Sequence, residues 1–312
     1  MITVVCPVFN EREHIEDVLN FFISAKPDDK ELIIIDGGSN DGTIELLEKW
    51  IKKYSNIKLF HNPNKYVPFA LNLAIKNSIG DPIIRLDAHT KYSIDYFEKI
   101  LETFKRTDAD IVGGPMIKKG ITDFQKAAAI ATSSLFGIGD SKIHNKNYEG
   151  YSDHVYLGAW KRSLFDEIGY FDERLIRNQD DEFHYRARSL GKKIYLSPDI
   201  KSEYLPRKSF SQLFKQYFQY GLYKPLVLRK IKSEIKLRHL VPMIFTLYLI
   251  SLPVLIFISW FLIFPLILYV LIGLIISFNA DKNIKIKLLT FIIFPVIHLA
   301  YGSGFLIGLF KK

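Results

Sequence analysis

Five short runs rich in β-branched and other apolar residues, ITVVCPV (2–8), ELIIID (31–36), IKLFHN (57–62), PIIRLD (82–87) and ADIVGG (109–114), alternate with stretches of helical period. Between the first two, Ile15, Val18, Leu19 and Phe22 fall on one helical face; after the second, Ile44, Leu46, Leu47, Trp50 and Ile51 do so less cleanly. Pro68 opens PFALNLAIKNSI as a favourable first helical residue. Strand and helix alternating over about 115 residues predict an α/β fold, a mostly parallel sheet flanked by helices. In such sheets ligands bind beyond the carboxyl ends of the strands. That directs attention to Asn10 and Glu11 after the first strand, DGGSNDGT (36–43) after the second, Asp87-Ala88-His89 after the fourth and GGP (113–115) after the fifth.

The pattern changes in the C-terminal third. No charged residue occurs from Leu240 to Ala280, and 41 helical residues would extend about 60 Å, roughly twice a hydrocarbon core. Two spans joined by a tight hairpin fit that length, and a second uncharged run, Leu288 to Phe310, is long enough for a third. The expected spans are 240–258, 261–279 and 288–310, with Pro242, Pro253, Pro265 and Pro295 tolerated because neighbouring helices can satisfy freed carbonyls. The formal net charge of +9 is concentrated here: residues 207–312 hold 14 Lys/Arg against two acids, while residues 1–206 hold 28 against 31. Nine basic residues against Glu234 lie between Arg207 and Arg238, interleaved with Phe, Leu and Tyr, which predicts an amphipathic segment (207–239) on an anionic membrane surface. A nucleic-acid groove would share that composition, but the adjoining spans argue for no nucleic acid.

The start, MITVVCPVFNERE, lacks a basic region and a long apolar core, so it reads as a strand and not as a signal peptide. The single cysteine, Cys6, excludes an intrachain disulfide framework and a multi-Cys zinc site. The expected organisation is a soluble domain (1–206), an interfacial segment and a multi-pass anchor (240–312) in the cell membrane. Lys/Arg on both sides of the first two spans place the soluble domain in the cytoplasm, with Lys311 and Lys312 left outside against the rule.

Three segments carry candidate chemistry. In DGGSNDGT the glycines permit a sharp turn, Asp41 or Ser39 can cap the next helix, and a carboxylate can accept hydrogen bonds from a base or ribose. Neither the G-x-G-x-x-G nor the Walker spacing is present. Asp87 and His89 are either two ligands of one cation or an aspartate starting a turn beside a surface histidine. In NQDDEF (178–183) the acids Asp180, Asp181 and Glu182 either suit a helix N-terminus or supply a general base.

VVCPVFNERE, ELIIIDGGSNDGT, GDPIIRLDAH, YLGAWKRSLFDEIGYFDE and RNQDDEFHYRAR occur in the order and at roughly the spacing of family 2 glycosyltransferases with the GT-A fold. The chain resembles the branch of membrane-anchored bacterial glucosyltransferases that build exopolysaccharides such as succinoglycan, over residues 1 to about 225. The resemblance implies a nucleotide sugar donor, expected to be UDP-linked, with Pro7, Asn10, Glu11 and Asp36 shaping the nucleoside pocket. Many relatives carry a second acid where this chain has Gly37. It implies Mn2+ or Mg2+ at Asp87 and His89, where the usual motif is Asp-x-Asp; the imidazole favours Mn2+. It places the general base at Asp180 and a supporting acid at Glu182, with Asp181 the neighbour to be distinguished. Gln179 stands where a Glu is usual, so one like charge that would raise the Asp180 pKa is expected to be missing. Gly158 and Ala159 are small enough for close approach of sugar, and Trp160 is either a platform for a sugar face or packing. Gln216 to Tyr220 loosely resembles the Gln-x-x-Arg-Trp motif of processive synthases, which puts Gln216 in the expected acceptor or sugar pocket, but Gln219 and Tyr220 fill the motif's last two positions, which argues against processive polymerisation. The implied activity is inverting, metal-dependent transfer of a hexose to a lipid-linked polyprenyl diphosphate acceptor. The alternatives are transfer to a polyprenyl phosphate and, from another class, a catalytically silent nucleotide-sugar-binding membrane protein.

Overall fold

Strands β1 (Ile2–Val8) and β2 (Lys30–Asp36) are buried at almost every position because alternate side chains enter two different cores. Val4, Cys6, Leu32 and Ile34 pack with Leu19, Phe22 and Phe97 on one face, whereas Val5, Ile33 and Ile35 pack with Leu71, Trp160 and Phe183 on the other. A strand covered on both faces reads as a continuous apolar run, as these do. The computed structural model describes residues 1–232 and 235–311; Glu234 and Lys312 lie outside the described residues. The chain forms two units, 1–117 with 142–204 and 118–141 with 205–312.

In the first unit the remaining strands are β3 (Ile57–His61), β4 (Ile83–Arg85), β5 (Thr90–Tyr92), β6 (Ile111–Gly114), β7 (Met116–Lys118), whose last residue opens the second unit, β8 (Gly150–Tyr151), β9 (Tyr156–Trp160), β10 (Ile194–Leu196) and β11 (Ser202–Tyr204). The large sheet has the order β3-β2-β1-β4-β9-β6-β10-β8, and β5-β11-β7 form a smaller one. β1 is parallel to β2 and β4, with Val8 beside Asp36 and Val5 beside Arg85. β9, the YLGAW segment, is antiparallel to both of its neighbours, β4 and β6. The sheet is therefore mostly parallel with a reversed strand at its centre, and the site residues of β4 lie beside those of β9.

The helices follow the expected periodicity. Ile15–Ser24 buries Ile15, Val18, Leu19 and Phe22, and Thr43–Lys53 buries Leu46 and Leu47, each such side chain contributing about 1.5–3 kcal/mol. Pro68 sits in the first turn of Val67–Lys76. The glycines of GGP serve close packing: a Cβ on Gly114 would lie 1.8 Å from the Ile200 carbonyl oxygen, and one on Gly113 2.7 Å from Val155 Cβ.

The second unit is helical. Leu237–Ile258, Trp260–Ala280 and Ile284–Gly308 are long and apolar enough to cross a membrane. The last of these is the packing centre. Gly221 of the helix Phe210–Lys230 meets Tyr301, and Gly304 and Gly308 meet Phe218 and Leu222, so closely that Cβ atoms would stand 2.0, 2.1 and 2.4 Å from the facing carbonyl oxygens. Small residues at a helix contact let two backbones touch, the usual way helices associate where no hydrophobic drive separates them from lipid. The part of the expected interfacial segment at Phe210–Lys230 is thus a helix that docks through one face. Residues 118–141 join this unit: Ala127, Ala128 and Ala131 of the helix Asp123–Ala131 pack with Leu213, Ile293, Phe294 and Ile297, and Gln125 Nε2 donates to the Pro206 carbonyl at 2.9 Å. His298, inside the last apolar helix, is fully hydrogen-bonded, with Nδ1 2.8 Å from Tyr269 Oη and Nε2 3.0 Å from the carbonyls of Phe136 and Gly137.

Candidate active site

The carboxyl edge of β1 and β2 carries two interlocked loops. Asn10, at φ 55°, donates its amide to Ser39 Oγ at 2.8 Å and accepts the Asn40 amide on Oδ1 at 2.9 Å. The Glu11 amide donates to Thr43 Oγ1 (3.0 Å), and the Arg12 amide to Asp41 Oδ2 (3.1 Å). Asp36 is buried and organises the second loop: Oδ2 accepts the amides of Gly38 (2.7 Å) and Ser39 (3.0 Å), and Oδ1 accepts Ser39 Oγ (2.5 Å). Gly42, at φ 91°, precedes the helix, and Asp41 Oδ1 reaches past it to take the Thr43 amide at 3.1 Å. Gly37 has no room for a larger residue without movement, since its Cβ would lie 3.3 Å from the Lys65 carbonyl oxygen and 3.5 Å from the Phe9 ring. This shape matches the absence of a second acid there.

β4 ends in a charged pair. Arg85 and Asp87 are two residues apart, so their side chains leave the extended chain on the same side. Arg85 Nε donates to Asp87 Oδ1 at 2.9 Å and Nη2 to Oδ2 at 3.2 Å. The Asp87 backbone is held by Tyr92, whose hydroxyl accepts the Asp87 amide at 2.7 Å and donates to its carbonyl at 3.1 Å. Burial opposes the guanidinium charge, but Asp87 and then Asp180 push the Arg85 pKa further up. His89 Nδ1 lies 3.3 Å from Glu11 Oε1, which joins the β1 loop to the β4 loop.

Asp180 lies in the first turn of the helix Gln179–Ser189, whose N-cap is Asn178 at φ 59°. Its Oδ1 accepts the Asp181 amide at 3.0 Å. Burial raises its pKa, Asp181 raises it further, and Arg85 and His154 work against both. The like charge expected to be missing at Gln179 is thus supplied by Asp181. One turn on, burial and His154 push His184 down to about 3, so it is neutral at physiological pH. Because the Asp180 pKa is raised, its carboxylate form is lost as pH falls through a value above that of an ordinary aspartate. Replacing Asp181 by Asn removes one raising charge, so the acid limb of kcat/KM is expected to move to lower pH; an unmoved or upward-shifted limb would contradict this assignment.

Residues 3–169 match the profile of Glycosyl transferase family 2. The chain belongs to this family. It is 32% identical over 243 residues to the succinoglycan biosynthesis protein ExoA of Rhizobium meliloti, covering 77% of this chain and 74% of that one. It is 31% identical over 324 residues to the dolichyl N-acetyl-alpha-D-glucosaminyl phosphate 3-beta-D-2,3-diacetamido-2,3-dideoxy-beta-D-glucuronosyltransferase of Methanococcus voltae, covering 99% and 97%. The mannosyltransferase PcManGT from Pyrobaculum calidifontis, solved in complex with GDP-Man and Mn2+, superimposes with a TM-score of 0.63 at 15% identity over 100% of this chain and 87% of that one. At that identity the likeness shows the GT-A fold. This protein is a glycosyltransferase of polysaccharide or glycan synthesis and carries three helices long and apolar enough to cross a membrane.

Within this glycosyltransferase several expected site residues have other duties. Trp160 is 1% exposed and packs edge-on against Phe165, Phe171 and Phe183, so it offers no platform to a sugar. Ala159 is fully buried in the opposite core, and a Cβ on Gly158 would meet the Trp160 ring at 3.1 Å. The register of β9 puts these side chains into the two cores. Glu182 is 0% exposed and forms a two-point pair with Arg186 (3.0 and 3.1 Å), which also donates to the carbonyls of Ile168, Gly169 and Tyr170. Gln216 belongs to the second unit, where its Nε2 donates to Tyr220 Oη at 3.0 Å. Arg85 and Tyr92 were not among the expected residues. A charge inside the apolar run PIIRLD was the available signal, because arginine is rarely buried unpaired.

Among the described residues no three His, Cys, Asp or Glu side chains are grouped to hold a metal ion. Asp87 and His89 offer a carboxylate and an imidazole, a pair that suits Mn2+ or Mg2+ only if ligand oxygens complete the coordination.

Proposed function

We propose that this enzyme is an inverting, metal-dependent transferase that moves a hexose from a nucleotide sugar, UDP-linked, onto a lipid-linked polyprenyl diphosphate acceptor at the cytoplasmic leaflet of the cell membrane. The observation that supports the reading is the two-point pairing of Asp87 with Arg85 at the carboxyl end of β4, a guanidinium whose charge is favoured by Asp87 and also by Asp180. Asp87, with His89, would hold the cation, which when bound offsets charge on the leaving diphosphate. The Asn10 and Asp36 loops shape the nucleoside pocket, with Pro7 next to last in β1. The Asp180 carboxylate takes the acceptor hydroxyl proton as that oxygen bonds to the anomeric carbon and the bond to the nucleoside diphosphate breaks.

Support for a lipid-linked acceptor comes from the apolar helices and from the Methanococcus relative, whose name describes transfer to a dolichyl-linked sugar phosphate. The basic helix Phe210–Lys230 would meet the anionic leaflet. The test supplies radiolabelled nucleotide sugars with Mn2+ to the purified protein, together with polyprenyl phosphate or an oligosaccharide-primed lipid diphosphate. Label is expected on the primed lipid with inverted anomeric configuration. Label on the bare lipid phosphate alone would make it a polyprenyl-phosphate glycosyltransferase, and label on neither lipid would defeat the reading.

A further inference from the structure

Arg85 occupies both carboxylate oxygens of the residue expected to meet the donor's cation. The pair is enclosed, with side chains 11% and 19% exposed, and the Tyr92 hydroxyl pins the Asp87 backbone on its amide and its carbonyl. Asp87 therefore cannot swing far from the guanidinium, and any cation it ligates will sit near a fixed positive charge. Two positive charges repel strongly where water is largely displaced. With Asp87 already neutralised and no third ligand grouped with it among the described residues, a bare divalent ion finds little to hold it. A nucleoside diphosphate reverses the balance, because its oxygens complete the coordination and its negative charge is attracted by Arg85 and cation together.

We propose that Arg85 is a positioning residue that makes cation binding conditional on the diphosphate, by holding Asp87 neutralised until the donor's charge arrives. This rests on the functional reading above only in taking Asp87 as the residue that meets the donor's metal. It differs from a packing role in sign: a packing arginine, when removed, loosens the site, whereas this one, when removed, lets the bare ion bind better. Thermodynamic reciprocity adds a second signature, since whatever synergy Mn2+ loses with nucleotide, nucleotide loses equally with Mn2+.

The experiment measures binding of Mn2+ alone, of UDP alone and of the two together to the full-length protein in detergent, by calorimetry and by the electron paramagnetic resonance signal of free Mn2+. GDP replaces UDP in a parallel series in case the base differs. In Arg85→Met, Mn2+ alone is expected to bind at least about tenfold tighter than in wild type, a difference of about 1.4 kcal/mol, and the Mn2+–UDP synergy to shrink by a similar factor. Arg85→Lys retains the charge and is expected to keep bare Mn2+ affinity within about threefold of wild type. Arg85→Gln serves as the neutral variant if the methionine variant does not fold. The proposal is overturned if the neutral variants bind bare Mn2+ no better than wild type while still binding Mn2+ with nucleotide. It is equally overturned if wild type binds Mn2+ as tightly without nucleotide as with it. A wild type that binds no Mn2+ even with UDP or GDP would sink the functional reading and this inference with it.

Discussion

Asp180→Asn is expected to lower transfer by about two to four orders of magnitude while leaving folding and nucleotide binding intact. The substitution keeps the side chain's size and an oxygen for the 3.0 Å bond from the Asp181 amide, so the helix start is preserved. On the proposed mechanism it removes the group that accepts the acceptor's proton. The raised pKa of the native carboxylate, caused first by burial and then by Asp181, makes it a stronger base than an exposed aspartate. Single-turnover transfer from radiolabelled donor, with nucleotide affinity measured beside it, separates the two effects. Transfer within tenfold of wild type would remove Asp180 as the base, and Asp181→Asn would then become the variant to follow.

Glu182→Gln is expected to destabilise the first unit by about 3–5 kcal/mol, because it leaves Arg186 partly buried without its counter-charge. The pair spans one helical turn, and Arg186 also binds three successive carbonyls at 168–170, so the clamp ties the helix Gln179–Ser189 to the chain that follows Ser163–Ile168. A fall in melting temperature on the order of 10 °C should result. Arg186→Met in the same chain should recover part of it, since no uncompensated charge remains. Lost turnover with an unchanged melting temperature would restore Glu182 to the chemistry as a supporting acid.

Much of the fold was legible in residue order. Ile15, Val18, Leu19 and Phe22 form the buried stripe that their spacing predicts, and the five apolar runs correspond to β1, β2, β3, β4 and β6. YLGAW was harder to read: its small and aromatic residues suggested a ligand surface, but each lies in a strand whose two faces are both covered. Whether a residue at a given strand position faces a core or a cleft depends on which neighbours pair with that strand. For β9 those neighbours, β4 and β6, are about 75 and 45 residues earlier in the chain.

The same division holds for the chemistry and for the membrane region. Sequence alone determined which acids follow which strands, which runs are apolar enough to enter a bilayer, and the family that those motifs share. These follow from local period and composition, which act over a few turns of chain. Tertiary structure decided that Asp87 is neutralised by Arg85, that Glu182 is a clamp, that Asp181 supplies the like charge beside Asp180, and that residues 118–141 pack with the C-terminal helices. Each of those is a matter of which charged or apolar groups share one dry space. Pairing and burial, not order along the chain, set the energies there.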